Sequence, residues 1–186
     1  MIKSKEKIIS AAIVLFNKNT SFNLEDVAQL AGVSRRTLHR YFTGKDQLLD
    51  VCKETTMAIC NAAMVKAYSS TDDILKKLEA MLYAVIDTGS NSVFVKKFYE
   101  RSSYSESEGN NDFKNDDIKS KWFNIIMELQ GQNIISRQLS IAWIFNFFGS
   151  IADVAILAVD NGDIAKNDAR RFAWFSFSNG IGIKKA

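Results

Sequence analysis

Between Ser34 and Phe42 the chain sets three guanidinium groups and one imidazole within six residues: Arg35, Arg36, His39 and Arg40, interleaved with Thr37 and followed by Tyr41. Arginine stays protonated at physiological pH and presents a rigid fork of donors, so it can bridge guanine edges bidentately or hold phosphates. Threonine hydroxyls bond either kind of partner. At about 100° per residue, Leu38 and Phe42 point one way with Tyr41 beside them. Arg36 and Arg40 point the opposite way, flanked by Arg35, Thr37 and His39. A short helix with an apolar face and an arginine face suits the major groove of double-stranded DNA. Lys45 follows in the first turn of the next helix, where its ammonium and the positive helix end would both attract a phosphate. An arginine pair alone reads better as a solvated basic face on a core helix. The ordered stretch from Asn23 to Lys45 shifts the balance to DNA.

Catalytic chemistry has little to stand on. The only histidine is His39, and there is no CxxC, HExxH, P-loop or GxGxxG. Asp72 with Asp73 and Asp116 with Asp117 are adjacent pairs, which do not converge on one substrate from a helix and read as helix-start charges. We therefore expect no enzyme, no cofactor and no metal site. Cys52 and Cys60 lie eight apart on one predicted helix, too far to bridge, and read as reduced packing residues in a cytosol.

The arginine face needs elements to hold it, and the flanking residues supply them. Asn23 is a good N-cap with Asp26 three residues on, as in a capping box. Leu24, Val27, Ala28 and Ala31 form one apolar face. Gly32 permits the left-handed backbone that ends this helix, Val33 packs back onto it, and Ser34 caps the next. Two helices joined by a short turn containing glycine are the helix-turn-helix signature. Net charge is +3 for the whole chain, and all of that excess lies in the first fifty residues. This is the footprint of a module that binds nucleic acid.

Three stretches together, IISAAIVLF, NLEDVAQLAGVSRRTL and RYFTGKDQLL, resemble the N-terminal domain of the TetR family of bacterial transcriptional regulators, from about Lys5 to Leu49. The family usually carries tyrosine, often a phosphate contact, where this chain has His39. That departure implies a weaker or pH-dependent backbone contact there.

The remainder of the chain reads as helices throughout. Hydrophobic residues make up 47% of 186, and there is no proline to interrupt long helices. Helix 1 is expected over about Lys5–Asn17. A long fourth helix, about Lys45–Ala67, starts at the DNA with no flexible linker and is the obvious mechanical connection. Helix 5 carries Ile74, Leu75, Leu78, Met81, Leu82, Val85 and Ile86, and ends at Gly89. Helix 6 starts after Asn91 or Ser92, and SSYSESEGNND (102–112) reads as an exposed loop. Helix 7 spans about Phe113–Gln130, stopped by Gly131. Helix 8 runs from after Ser136 to about Asp160, and helix 9 from Ile164 to Ser178. Lys3, Lys5 and Lys7 before Ile8–Phe16 mimic a signal peptide, but no small-residue cleavage site follows and Glu6 interrupts the basic run. Ile141–Val159 could span a bilayer by length, yet Asn146 and Asp153 lie inside it. A helix apolar nearly all round is expected to be covered on most sides by its own protein.

These readings give an all-α protein of about nine helices, cytoplasmic, with a helix-turn-helix domain over residues 1–45 and a helical ligand-binding and dimerisation domain over 46–186. The resemblance implies a homodimer built through the last two helices, with Phe172, Trp174 and Phe175 as candidate contacts. It also implies a repressor whose ligand pocket is enclosed by helices 4 to 8 and which is released from DNA when an effector shifts helix 4. For that pocket we select Cys60, Met64, Phe98 and Trp122, with Asn146, Ser150 and Asp153 as polar anchors for a small, partly apolar effector. The same stripe could face solvent or a partner subunit. One short reading helix covers too few bases, so a dimer on a palindromic operator is expected, its reading helices about 34–36 Å apart. The alternative is a DNA-binding module without an effector, acting in chromosome organisation or through a protein partner.

Overall fold

The computed structural model describes residues 4–103 and 117–183. Among these residues the chain forms helices only: α1 (Ser4–Lys18), α2 (Leu24–Ala31), α3 (Arg35–Tyr41), α4 (Lys45–Tyr68), α5 (Ile74–Thr88), α6 (Ser90–Ser103), α7 (Asp117–Gly131), α8 (Ile141–Asp160) and α9 (Lys166–Gly180). Most of the loop read at 102–112 and the first residues expected in helix 7 lie outside the described residues. Ser102 and Ser103 end α6.

The chain divides into two compact units, and the division runs through a helix. The first contains α1, α2, α3, α4 up to Ile59, and α6. The second contains the rest of α4 from Cys60, with α5, α7, α8 and α9. The first unit thus extends past residue 45, where the sequence placed a domain boundary. Leu48, Leu49 and Cys52, in the first two turns of α4, are core residues of the first unit, buried with Ile8, Phe16, Val27, Leu38 and Phe42.

Aromatic packing explains why α6 joins that unit. Phe94 is fully buried, with its ring centroid 4.7 Å from that of Phe16, and Phe98 stacks on Phe94 at 5.9 Å. Polar groups close the edge of this contact. Asn17 Nδ2 donates to the Ser90 carbonyl at 2.7 Å, and Lys97 Nζ donates to the Asn17 carbonyl.

In the second unit each helix buries one stripe: Leu78, Met81, Leu82 and Ile86 on α5, and Trp122, Ile125, Ile126 and Leu129 on α7. α9 contributes Ala169, Ala173 and Phe177. Arg170 on α9 grips both oxygens of Asp87 on α5, each at 2.6 Å, in the bidentate geometry that favours arginine. α8 and α9 approach closely at their crossing. A Cβ at Gly180 would lie 2.5 Å from Cε1 of Phe147.

α7 ends at Gly131, where the sequence placed its stop, and the left-handed residue beyond it is Asn133, with φ 59°. Asparagine tolerates that conformation better than most residues. Helix 8 begins at Ile141, not after Ser136, with Ser140 as its cap. Residues 136–139 are held in a turn instead: the Ser136 amide donates to the Ile181 carbonyl at 2.9 Å, and Gln130 Nε2 donates to the carbonyls of Ser136 and Leu139. Finally, α8 is not covered on most sides among the described residues. Ile144, Phe148, Ala152, Ala155 and Ile156 are buried, while Trp143, Val154 and Leu157 are about three-fifths exposed. By length and composition α8 could cross a membrane, and α5, α7 and α9 all pack on it.

Candidate nucleic-acid interface

Local hydrogen bonds build the helix-turn-helix. The Asn23 side chain accepts from the Asp26 amide while Asp26 accepts from the Asn23 amide, both at 2.9 Å, a reciprocal capping box. Gly32 closes α2 at φ 63° and donates its amide to the Gln29 carbonyl, and Val33 donates to the Ala28 carbonyl. Ser34 Oγ accepts from the Thr37 amide at 3.1 Å and so starts α3 with only three residues between it and the end of α2. Leu38 and Phe42 are essentially inaccessible, which fixes the rotation of α3. The opposite face, with Arg35, Arg36, His39 and Arg40, is exposed, and Thr37 and Tyr41 are half-buried at its edges.

The cationic groups of this face differ in their partners. Arg36 forms no hydrogen bond or ion pair among the described residues. Arg35 pairs with Glu25 of α2 at 2.9 Å and lies 3.5 Å from His39 Nε2. An exposed pair of this kind contributes about 0–1 kcal/mol, so a phosphate can compete for Arg35. Arg40 lies over the Tyr41 ring at 5.1 Å, with a long contact to its hydroxyl at 3.4 Å. The Thr37 hydroxyl is 2.9 Å from Ser34 Oγ, so part of its hydrogen-bonding capacity serves the cap.

Lys45 departs furthest from expectation. Its ammonium donates to the carbonyls of Thr20 at 2.9 Å and Phe22 at 2.5 Å, and lies 4.0 Å from the centre of the Phe22 ring. The start of α4 carries a second local device. Gln47 Oε1 accepts from both the amide and the hydroxyl of Thr43, at 2.7 and 3.1 Å. Glu25, Gln47 and the two carbonyls were missed in the sequence. Only Gln47 had a local signal, four residues from the Thr43 it caps.

The residues selected for an effector pocket are distributed over both units. Phe98 belongs to the first, stacked in the Phe16–Phe94 cluster. Trp122 belongs to the second and is buried among Phe123, Phe145 and Phe148, with ring centroids 5.3–5.4 Å away. Cys60 and Met64 are half-buried on α4. Of the anchor stripe, Asn146 and Ser150 are exposed and Asp153 is half-buried, because the buried face of α8 lies on the other side. Two clefts of about 110 Å³ in the second unit are lined by none of these seven residues. Of the candidate dimer contacts, Phe172 and Phe175 are exposed, and Trp174 is half-buried against Phe177 at 6.3 Å. Among the described residues no group of histidine, cysteine or carboxylate side chains could hold a metal ion.

Residues 8–52 match the family model of bacterial regulatory proteins of the tetR family. The HTH-type transcriptional repressor LfrR of Mycolicibacterium smegmatis is 27% identical over 106 residues, a match covering 57% of this chain and 55% of that protein. The match thus spans about half the length of this curated relative. The crystal structure of LfrR from Mycobacterium smegmatis in complex with proflavine superposes with a TM-score of 0.67 at 21% identity, covering 96% of both chains. The ketosteroid transcriptional regulator KstR2 of Mycobacterium tuberculosis superposes with a TM-score of 0.77 at 14% identity, covering 100% of this chain and 97% of that one. At these identities the superpositions show the fold alone. The helix-turn-helix segment thus matches the tetR family model, and the chain along its length shares the fold of TetR-like regulators.

Proposed function

We propose that this protein is a TetR-type transcriptional regulator, a cytoplasmic repressor that binds a palindromic operator as a homodimer and leaves it when a small, partly apolar effector binds. The reading is carried by the exposed Arg35, Arg36, His39 and Arg40 face of α3, whose reverse face, Leu38 and Phe42, is locked in the core. Arg36 reads base edges. Arg35 and Arg40, with Thr37, His39 and Tyr41, contact phosphate and sugar.

The dimer reading is supported by the outer surfaces of α8 and α9. Trp143, Val154 and Leu157 recur along one side of α8, and Phe172 and Phe175 along α9, an exposed apolar patch of the kind that marks a protein interface. On this reading Asn146 and Ser150 lie among interface residues and do not anchor the effector. Repression is suggested by LfrR, and the proflavine in its crystal structure suggests the first compound to test.

Binding to DNA from the protein's own promoter region, measured against random DNA, tests the core of this proposal; equal affinity for both would remove it. A thermal-shift series with proflavine and other aromatic compounds tests the effector, since a ligand that binds only the folded state raises the midpoint. A protein that selects its promoter DNA but is stabilised by no compound would be the alternative, a DNA-binding module without an effector.

A further inference from the structure

Lys45 is the first residue of α4, where the positive end of the helix repels an ammonium group. The structure compensates that repulsion within the first unit. Two carbonyl oxygens, of Thr20 and Phe22, accept from Nζ, and the negative face of the Phe22 ring lies 4.0 Å away. Both acceptors belong to the turn between α1 and α2. Phe22 is 5% exposed, so its ring and carbonyl are themselves fixed in the core. The next residue, Asn23, caps α2. A single ammonium therefore fastens the first turn of α4 to the residue that leads into the helix-turn-helix.

We propose that Lys45 is a positioning residue: its ammonium sets the start of α2 against the start of α4, and it stays on these carbonyls when the protein is on DNA. Moving to a phosphate would uncover two carbonyls and forfeit the ring contact, in exchange for one ion pair at a wet surface. The proposal rests on the DNA-binding reading only for its second half. The tether itself is a property of the free protein.

Lys45→Met keeps the length and apolar stem of the side chain and removes the charge and its donors. The test compares this variant with the wild type in two measurements: the thermal midpoint without DNA, and the salt dependence of binding to a random duplex. A lost phosphate contact would lower the salt slope by about one. A lost tether lowers the midpoint by several degrees and leaves the slope unchanged, which is the expected result. An unchanged midpoint, or a slope lower by about one, overturns the proposal. A double-mutant cycle with Phe22→Leu guards against a general loss of stability. The two midpoint changes must be non-additive, and additive changes also overturn it. If the wild type holds no DNA at low salt, the DNA-binding reading fails while the midpoint and the cycle still decide the tether.

Discussion

Among the described residues, Arg36 offers the α3 surface a guanidinium with no protein partner, next to two arginines that have them. An unpaired guanidinium reaches a guanine edge without first breaking a contact. Arg36→Ala is therefore expected to cost ~1–3 kcal/mol on the specific site and to relax base preference, while binding to random DNA changes little. Competition assays with operator and random duplexes measure this. Equal losses on both would assign Arg36 to the backbone. Cys52 makes a different residue-scale prediction. Burial pushes its thiol up to about 12, against an unfolded value of about 8.5. The folded state thus favours the neutral thiol. Its contribution is whole below about pH 8.5 and is lost as pH rises toward 12. Denaturation at pH 7 and pH 10 should show a smaller alkaline loss for Cys52→Ala than for the wild type. In the native protein at pH 8, iodoacetamide should modify Cys60 well before Cys52, since Cys60 is half-buried and Cys52 is sealed.

At the scale of elements, the crossing of α8 and α9 allows a sharp test. Gly180→Ala would set a methyl 2.5 Å from the Phe147 ring, so the ring or the helix must move. Overpacking of this kind typically costs ~1–3 kcal/mol. The thermal midpoint should fall by roughly 2–4 °C for each kcal/mol in a chain of this size. This contact was invisible in the sequence, where nothing ties Gly180 to Phe147, thirty-three residues upstream. By contrast, α2 and α3 were legible almost to the residue, because Asn23, Asp26, Gly32 and Ser34 act on amides within a few positions of themselves. Partners far along the chain leave no such mark. The acceptors of Lys45 lie 23 and 25 residues upstream, so its type and its helix-start position pointed to a phosphate. α8 was misread for a related reason. An all-round apolar helix announces that every side will be covered, but not whether its own chain or another does the covering.

For the molecule as a whole, that uncovered side predicts assembly. Trp143, Val154, Leu157 and Phe175 are all 60–65% exposed, a large apolar area to leave in water. Sedimentation should find a dimer at micromolar concentration. Leu157→Asp combined with Phe175→Asp should give a monomer that still unfolds cooperatively, because neither side chain is part of the buried core. A stable wild-type monomer would refute the interface. The first unit has a further consequence, for inheritance. Its core is discontinuous in sequence, since Phe94 arrives from α6, some thirty residues after the rest of the unit has ended at Ile59. A fragment ending at Ile59 would leave Phe16 with no ring opposite it. Recombination that exchanged only the N-terminal helix-turn-helix segments of two proteins of this fold would join an α1 to an α6 that had not evolved against it. On the proposed function, operator choice should therefore change by substitution on the surface of α3, and only rarely by exchange of the N-terminal segment.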